Sequence, residues 1–179
     1  LGDVYKRQVM QDVSELKKAY AELENMVIYD QLTGVYSMYS FMEHCKQYDE
    51  YNGSVAVVVC DINHLSDINI QYGQKAGNQA LINVAGVLKK ILMDRAYIAR
   101  INEGNFVAVM KNVTDAEAGK TFEQIKRTVE KECNNGKFGV TIEYGIAMRK
   151  ASNRWIMDIV HEAVNDMSCL LYTSPSPRD

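Results

Sequence analysis

The pattern of apolar and polar positions divides the chain into short strands and striped helices. Residues 55–60 are β-branched and almost continuously apolar, which predicts a central strand buried on both faces. Residues 99–110 hold two apolar runs joined at Asn102-Glu103-Gly104, the pattern of a β-hairpin whose Gly104 is free to take a positive φ. The hairpin strands are expected near residues 97–101 and 105–111, with a further strand over residues 138–148. Ser37 is placed to cap a helix through about Tyr48 with Met38, Phe41, Met42 and Cys45 inward. Gly77 precedes a long helix to about Met93, striped by Leu81, Val84, Ala85, Leu88, Ile91 and Leu92. Thr114-Asp-Ala-Glu117 is a capping box opening a helix with Ala118, Phe122, Ile125 and Val129 inward. Ile156, Ile159, Val160, Ala163, Val164 and Met167 stripe a last helix. Strand, helices, hairpin, helix, strand and helix in that order give an α+β sandwich, a largely antiparallel sheet covered by helices.

Ahead of this domain, Val13, Leu16, Tyr20, Leu23 and Val27 alternate steps of three and four, a heptad seam over residues 9–29. So short a seam fits a two-stranded coil and equally an amphipathic helix folded onto its own domain. Residues 1–8 and 169–179, the latter holding both prolines, read as non-native ends.

A length of 179 residues, nearly half of them apolar, suits one domain with one substantial core. The formal net charge of −3 gives no general attraction for nucleic acid. Cys45, Cys60, Cys133 and Cys169 are scattered without metal or redox spacing and are expected as buried, reduced thiols. No run in this segment is apolar and long enough to span a bilayer, so a cytoplasmic location is expected. His64, Tyr72, Tyr144 and Trp155 read as a loop residue and three packing residues, and Asp94-Arg95 as a surface ion pair.

Three motifs then stand out: Asp30-Gln-Leu-Thr-Gly34, the apolar strand ending at Asp61, and Arg100-Ile101 followed by Asn102-Glu103-Gly104-Asn105-Phe106. Together they resemble the GGDEF family of diguanylate cyclase domains over residues 30–168. The resemblance implies a ferredoxin-like, polymerase-palm architecture and a reaction joining two GTP molecules into cyclic di-GMP across a dimer. It also implies Mg2+ held by carboxylates converging from the strand end and the hairpin tip.

Carried onto this chain, the resemblance makes Asp61 the first metal-binding carboxylate, with the backbone carbonyl of Ile62 beside it. The signature's Gly-Gly becomes Asn102-Glu103, and its two acids become Gly104 and Asn105, neither able to carry negative charge; Phe106 is kept. Glu103 lies one position early, and strand alternation points it away from the site. Asn69 stands at the guanine-contacting Asn, and Asn78 replaces an Asp that accepts from the guanine edge. Asn69 is equally readable as a helix-end residue bonding backbone. Ser66 and Ser168 stand where phosphate-contacting lysines are found, and Ser37-Met38 where Asn-Arg is usual. Met93 and Ala96 replace the Arg and Asp of the product-inhibition motif.

The expectation is a catalytically degenerate GGDEF-type domain, a regulatory or dimerising module in bacterial cyclic-di-GMP signalling. Its expected partners are GTP, bound weakly and with Mg2+ only if bound at all, and a second copy through the N-terminal helix. Sensor and EAL-type phosphodiesterase domains would lie outside this fragment; nucleic acid and membrane are not expected partners of it. The alternatives are an active diguanylate cyclase using Asp61 with Glu103 or another acid, and a purely structural interaction module built on the residue 13–27 seam.

Overall fold

The computed structural model describes Lys17 and residues 27–134, 139–150 and 154–173, with side chains to residue 168. The seam positions Val13, Leu16, Tyr20 and Leu23, with residues 1–8 and 174–179, lie outside the described residues, while Cys169 lies in the last helix with its side chain outside them; Val27 is helical and about half exposed.

Helix α1 (Met38–Asp49) leads to strand β1 (Val55–Ile62), helices α2 (Leu65–Tyr72) and α3 (Gln74–Leu92), and a single 3-10 turn. Strands β2 (Ala96–Arg100) and β3 (Asn105–Lys111) form the hairpin; α4 (Asp115–Glu132), β4 (Ile142–Arg149) and α5 (Ile156–Thr173) complete the domain. The sheet order is β2-β3-β1-β4, and every neighbouring pair is antiparallel. The hairpin and the returning β4 flank β1 on both edges and helices cover both of its faces, which is why residues 55–60 are apolar at every position rather than at alternate ones.

Alternation along β1 splits the core into two layers. Ala56, Val58, Cys60 and Ile62 face α3 and α4, packing with Leu81, Val84, Leu88, Phe122 and Ile125. Val55, Val57 and Val59 face α1 and α5, packing with Phe41, Cys45, Ile156 and Ile159. Phe122 is fully buried, so truncating it to alanine costs about 3–5 kcal/mol.

Local signals behave as the sequence predicts at both caps. Ser37 Oγ accepts from the Ser40 N–H at 3.1 Å. Thr114 and Glu117 close a reciprocal capping box at the start of α4. Cys45, Cys60 and Cys133 are buried free thiols.

Four details differ from the sequence expectation. Met38 and Met42 are exposed, because α1 packs on the Phe41, Cys45 and Tyr48 stripe and those methionines sit roughly 60° and 100° around the helix from Phe41. Ser40 takes the inward place and shares a hydrogen bond with the Tyr97 hydroxyl at 2.8 Å. Gly77 lies within the first turn of α3, and the separate helix α2 precedes it. Tyr72 and Trp155 are exposed, Tyr72 at the end of α2 and Trp155 just before α5, where its carbonyl receives the Asp158 N–H. The last strand starts at Ile142; residues 135–138, where it was expected to begin, lie outside the described residues.

Candidate functional site

The site forms where β1 leaves the sheet. Asp61 is registered with Asn105 on β3 and Glu143 on β4, so the strand end is bracketed by the hairpin tip and by β4. The chain then turns through Asn63, whose N–H donates to the Thr141 carbonyl, and through His64 at a φ of 55°. That left-handed turn reverses the chain into α2, which with α3 walls the other side.

The hairpin tip is an Asx turn. Asn102 Oδ1 accepts from the Gly104 N–H at 3.1 Å and the Asn105 N–H at 2.9 Å, and the Ile101 N–H donates to the Asn105 carbonyl. Arg100 fastens the tip from below: Nε donates to the Asn102 carbonyl at 3.1 Å and Nη2 to the Glu103 carbonyl at 2.8 Å. Nη1 reaches both carboxylate oxygens of Asp30, at 3.3 and 3.2 Å. Asp30 in turn accepts from the Thr33 N–H and hydroxyl. Burial alone would raise the Asp30 carboxyl, but the Thr33 bonds and the Arg100 charge outweigh it and hold that group below the usual carboxylate range.

Gly104 does not have the positive φ its position in the turn suggested. Its lack of a side chain matters for a different reason. A Cβ there would stand 2.9 Å from Asp61 Oδ1 and 3.5 Å from Leu65 Cδ2, so position 104 points straight at the Asp61 carboxylate. The Ile62 N–H also donates to the Gly104 carbonyl, closing tip onto strand end. Burial pushes the Asp61 carboxyl above its ordinary value, only partly offset by the Ile62 N–H. Beneath it, burial pushes the Cys60 thiol up to about 12, which keeps it neutral and inert.

A cavity of about 500 Å³ opens between these elements. Asp61, Ile62, Asn69, Asn78, Glu103 and Gly104 all line it, with Ser66 and Gln74. The structure therefore gathers most of the sequence-predicted residues around one space. Phe106 is instead a core residue, and Asn102 and Asn105 do not line the cavity. Asn105 Oδ1 is buried without a hydrogen-bond partner. Ser168 is spent on the Val164 carbonyl in α5. Glu103 departs from the alternation expectation: it sits in the bend between strands, where the two-residue period does not apply, and so lines the cavity.

Asn69 does not bond backbone through its acceptor. Its Oδ1 is buried and unpartnered, packed against Gly77, where a Cβ would overlap it. The glycine of α3 thus makes room for the amide of α2.

Among the described residues, no three His, Cys, Asp or Glu side chains gather so as to hold a metal ion. Asp61 supplies one carboxylate, the facing position supplies none, and His64 is exposed and paired with Asp67 at 3.1 Å. Around the cavity the described residues thus offer the Asp61 carboxylate at the strand end and Glu103 in the lining, with no carboxylate at position 104.

Met93 and Ala96 line a different cavity of about 770 Å³, with Tyr36, His44, Tyr97 and Lys111. Asp94 and Arg95 form no ion pair there; Arg95 donates to the Ile91 carbonyl at 2.7 Å.

The link between Asp30 and Arg100 was not foreseen from the sequence. Both residues lay in noted motifs, but nothing local joins residues 70 apart.

An antiparallel palm-like sheet with an acidic strand end and a facing hairpin tip defines the α+β class of this domain. Within it, the chain belongs to the GGDEF family: it matches the diguanylate cyclase GGDEF domain over residues 27–171. It is 25% identical over 150 residues to the probable diguanylate cyclase DgcF of Escherichia coli O157:H7, covering 82% of this chain and 32% of that protein. It is 24% identical over 168 residues to the cyclic di-GMP phosphodiesterase PdeB of Shewanella oneidensis, covering 90% of this chain and 19% of that protein. The chain thus spans a third or less of the length of these relatives. Its fold matches the coiled coil and GGDEF domain of Caulobacter crescentus DgcB, solved with c-di-GMP, at a TM-score of 0.86 and 18% identity over 96% of this chain and 95% of that one. Among the described residues no helix is long and apolar enough to cross a membrane.

Proposed function

We propose that this domain is a catalytically degenerate GGDEF domain that serves cyclic-di-GMP signalling as a regulatory and dimerising module. One observation carries this reading. The position aimed at Asp61 from the hairpin tip is Gly104, so the second carboxylate that would complete a metal site for phosphoryl transfer is missing. A diguanylate cyclase relies on magnesium to neutralise the phosphates and to position the attacking hydroxyl. This chain's own groups are instead arranged to hold a tip in place: Arg100 ties it to Asp30, and Asn102 folds it.

The dimerising role rests on residues 9–29, whose last seam position, Val27, is exposed together with Ile28 and Tyr29 at the edge of the described domain. The similarity to a phosphodiesterase of which this chain matches 19% supports a setting beside a further enzymatic domain. Incubation with GTP and Mg2+ tests the reading: no cyclic di-GMP forms.

A second reading, an active cyclase, is favoured by Glu103, which lines the same cavity as Asp61. It requires product formation that is lost in both Glu103→Gln and Asp61→Ala.

A further inference from the structure

Exposed apolar side chains are not spread evenly over the described residues. Six of the eleven large ones fall between residues 27 and 42: Val27, Ile28, Tyr29, Met38, Tyr39 and Met42. The two groups adjoin, because the N-cap of α1 is bonded to the end of the helix before it. The Ser37 hydroxyl donates to the Val27 carbonyl, and the Ser37 N–H donates to the Ile28 carbonyl at 2.8 Å. Helical spacing puts Met38, Met42 and Tyr39 within about 100° of one another, on the side of α1 turned away from the Phe41, Cys45 and Tyr48 stripe. The core beneath α1 is closed without them, and Tyr39 is 61% exposed.

A clustered apolar face on a folded domain marks a contact surface. Three observations favour a second copy of this chain as its occupant. Val27 is the last position of the residue 13–27 seam, so a coil through that seam sets two copies of Val27 side by side, and the Ser37 bonds carry each α1 face to the foot of the coil. A seam of about two heptads is short for a coil, and a stable dimer buries about 800 Å² on each partner, so further surface is needed beyond it. The rim of the face carries Glu43 and Lys46, paired at 3.3 Å, one charge of each sign, so an identical face is not repelled. The chain's own residues 9–26 do not suit the face. A helix folding back from Val27 onto α1 would bury Val27 against Met38 first, yet these are 47% and 38% exposed.

We propose that Met38, Tyr39 and Met42 of α1, continuous with Val27 and Ile28, pack against the same face of a second copy, so that the dimer is held by contact between domains as well as by the helix seam. This rests on the dimerising role proposed above and deepens it by placing part of the interface on the domain itself.

The test is sedimentation velocity of the full chain over a range of concentrations, with folding checked by circular dichroism. The wild type should be a dimer whose dissociation constant rises by about tenfold or more in Met42→Glu and in Tyr39→Glu. Ile70→Glu, at an exposed position elsewhere, should leave it unmoved. If a charged variant fails to fold, Tyr39→Ser gives the same comparison. Leu16→Gln combined with Leu23→Gln probes the seam separately. A dimer that the seam change weakens and the α1 changes leave intact overturns the proposal while keeping the dimerising role. A lower melting temperature for Met42→Glu at unchanged association also overturns it, because the face is then covered within one chain. A wild type that stays monomeric at high concentration removes the dimerising role itself and the proposal with it, so the two failures are distinguishable.

Discussion

Arg100 Nη1 lies 3.2 Å from Asp30 Oδ2, with both side chains mostly buried, and through this contact the turn before α1 grips the hairpin that faces Asp61. One guanidinium joins two stretches far apart in sequence and also holds the tip carbonyls of Asn102 and Glu103. The hairpin tip is therefore a fixed wall of the cavity rather than a free loop.

Removing one partner should unsettle that wall. Asp30→Asn is expected to destabilise the domain by about 1–2 kcal/mol, since Arg100 loses its counter-charge. The pH dependence follows from the direction of the shift. The folded-state carboxyl is held below its unfolded value, so its contribution is full above pH of about 4 and is lost as pH falls through the folded value. Urea denaturation from pH 7 down to pH 3 checks this: the wild type loses stability on acidification and Asp30→Asn loses less.

Asp61 has the opposite sign. Its folded carboxyl is raised by burial, so the charged form is penalised in the folded state, and the penalty disappears as pH falls through the folded value. Asp61→Asn should raise the melting temperature at pH 7.5 and leave it unchanged at pH 3, where both side chains are neutral. Thermal melts at the two pH values read this directly. A lower melting temperature for Asp61→Asn at pH 7.5 would show that favourable contacts of the charge outweigh its burial.

Gly104→Asp places a second carboxylate against Asp61 Oδ1, a site where even a Cβ is tight. Without metal the variant should melt below wild type, by about 1–3 kcal/mol in stability, from crowding and like charge. Added Mg2+ should recover part of that loss, whereas the wild-type melting temperature stays unmoved by the ion. Differential scanning fluorimetry across magnesium concentrations separates the two.

Thr114→Ala offers a local control distant from the site. Its hydroxyl and the Glu117 carboxylate satisfy the first turn of α4, so its loss should cost about 1 kcal/mol while self-association is unaffected. Chemical denaturation beside sedimentation velocity measures both.

Much of this architecture was legible because local rules and tertiary packing agree. The continuous apolar run of β1, the Thr114 capping box and the stripes of α3, α4 and α5 each carried their own signal. Met38 and Met42 were misplaced because periodicity marks an apolar face but not how much of it a neighbour covers. Gly104 was read through turn geometry, whereas its reason lies across space in Asp61. The cavity residues Asp61, Asn69 and Asn78 came from motif resemblance, and their convergence follows from the turn at His64 and the seating of Asn69 on Gly77. No spacing rule encodes that seating, nor the contact between Asp30 and Arg100.

Whether the acid missing at position 104 leaves the domain without cyclase activity is decided by mass spectrometry. The chain is incubated at high concentration with GTP and Mg2+ beside an Asp61→Ala control, with folding of both verified by circular dichroism. No cyclic di-GMP is expected in either sample. Product in the wild type that vanishes in Asp61→Ala would contradict it and make Glu103 the acid to mutate next.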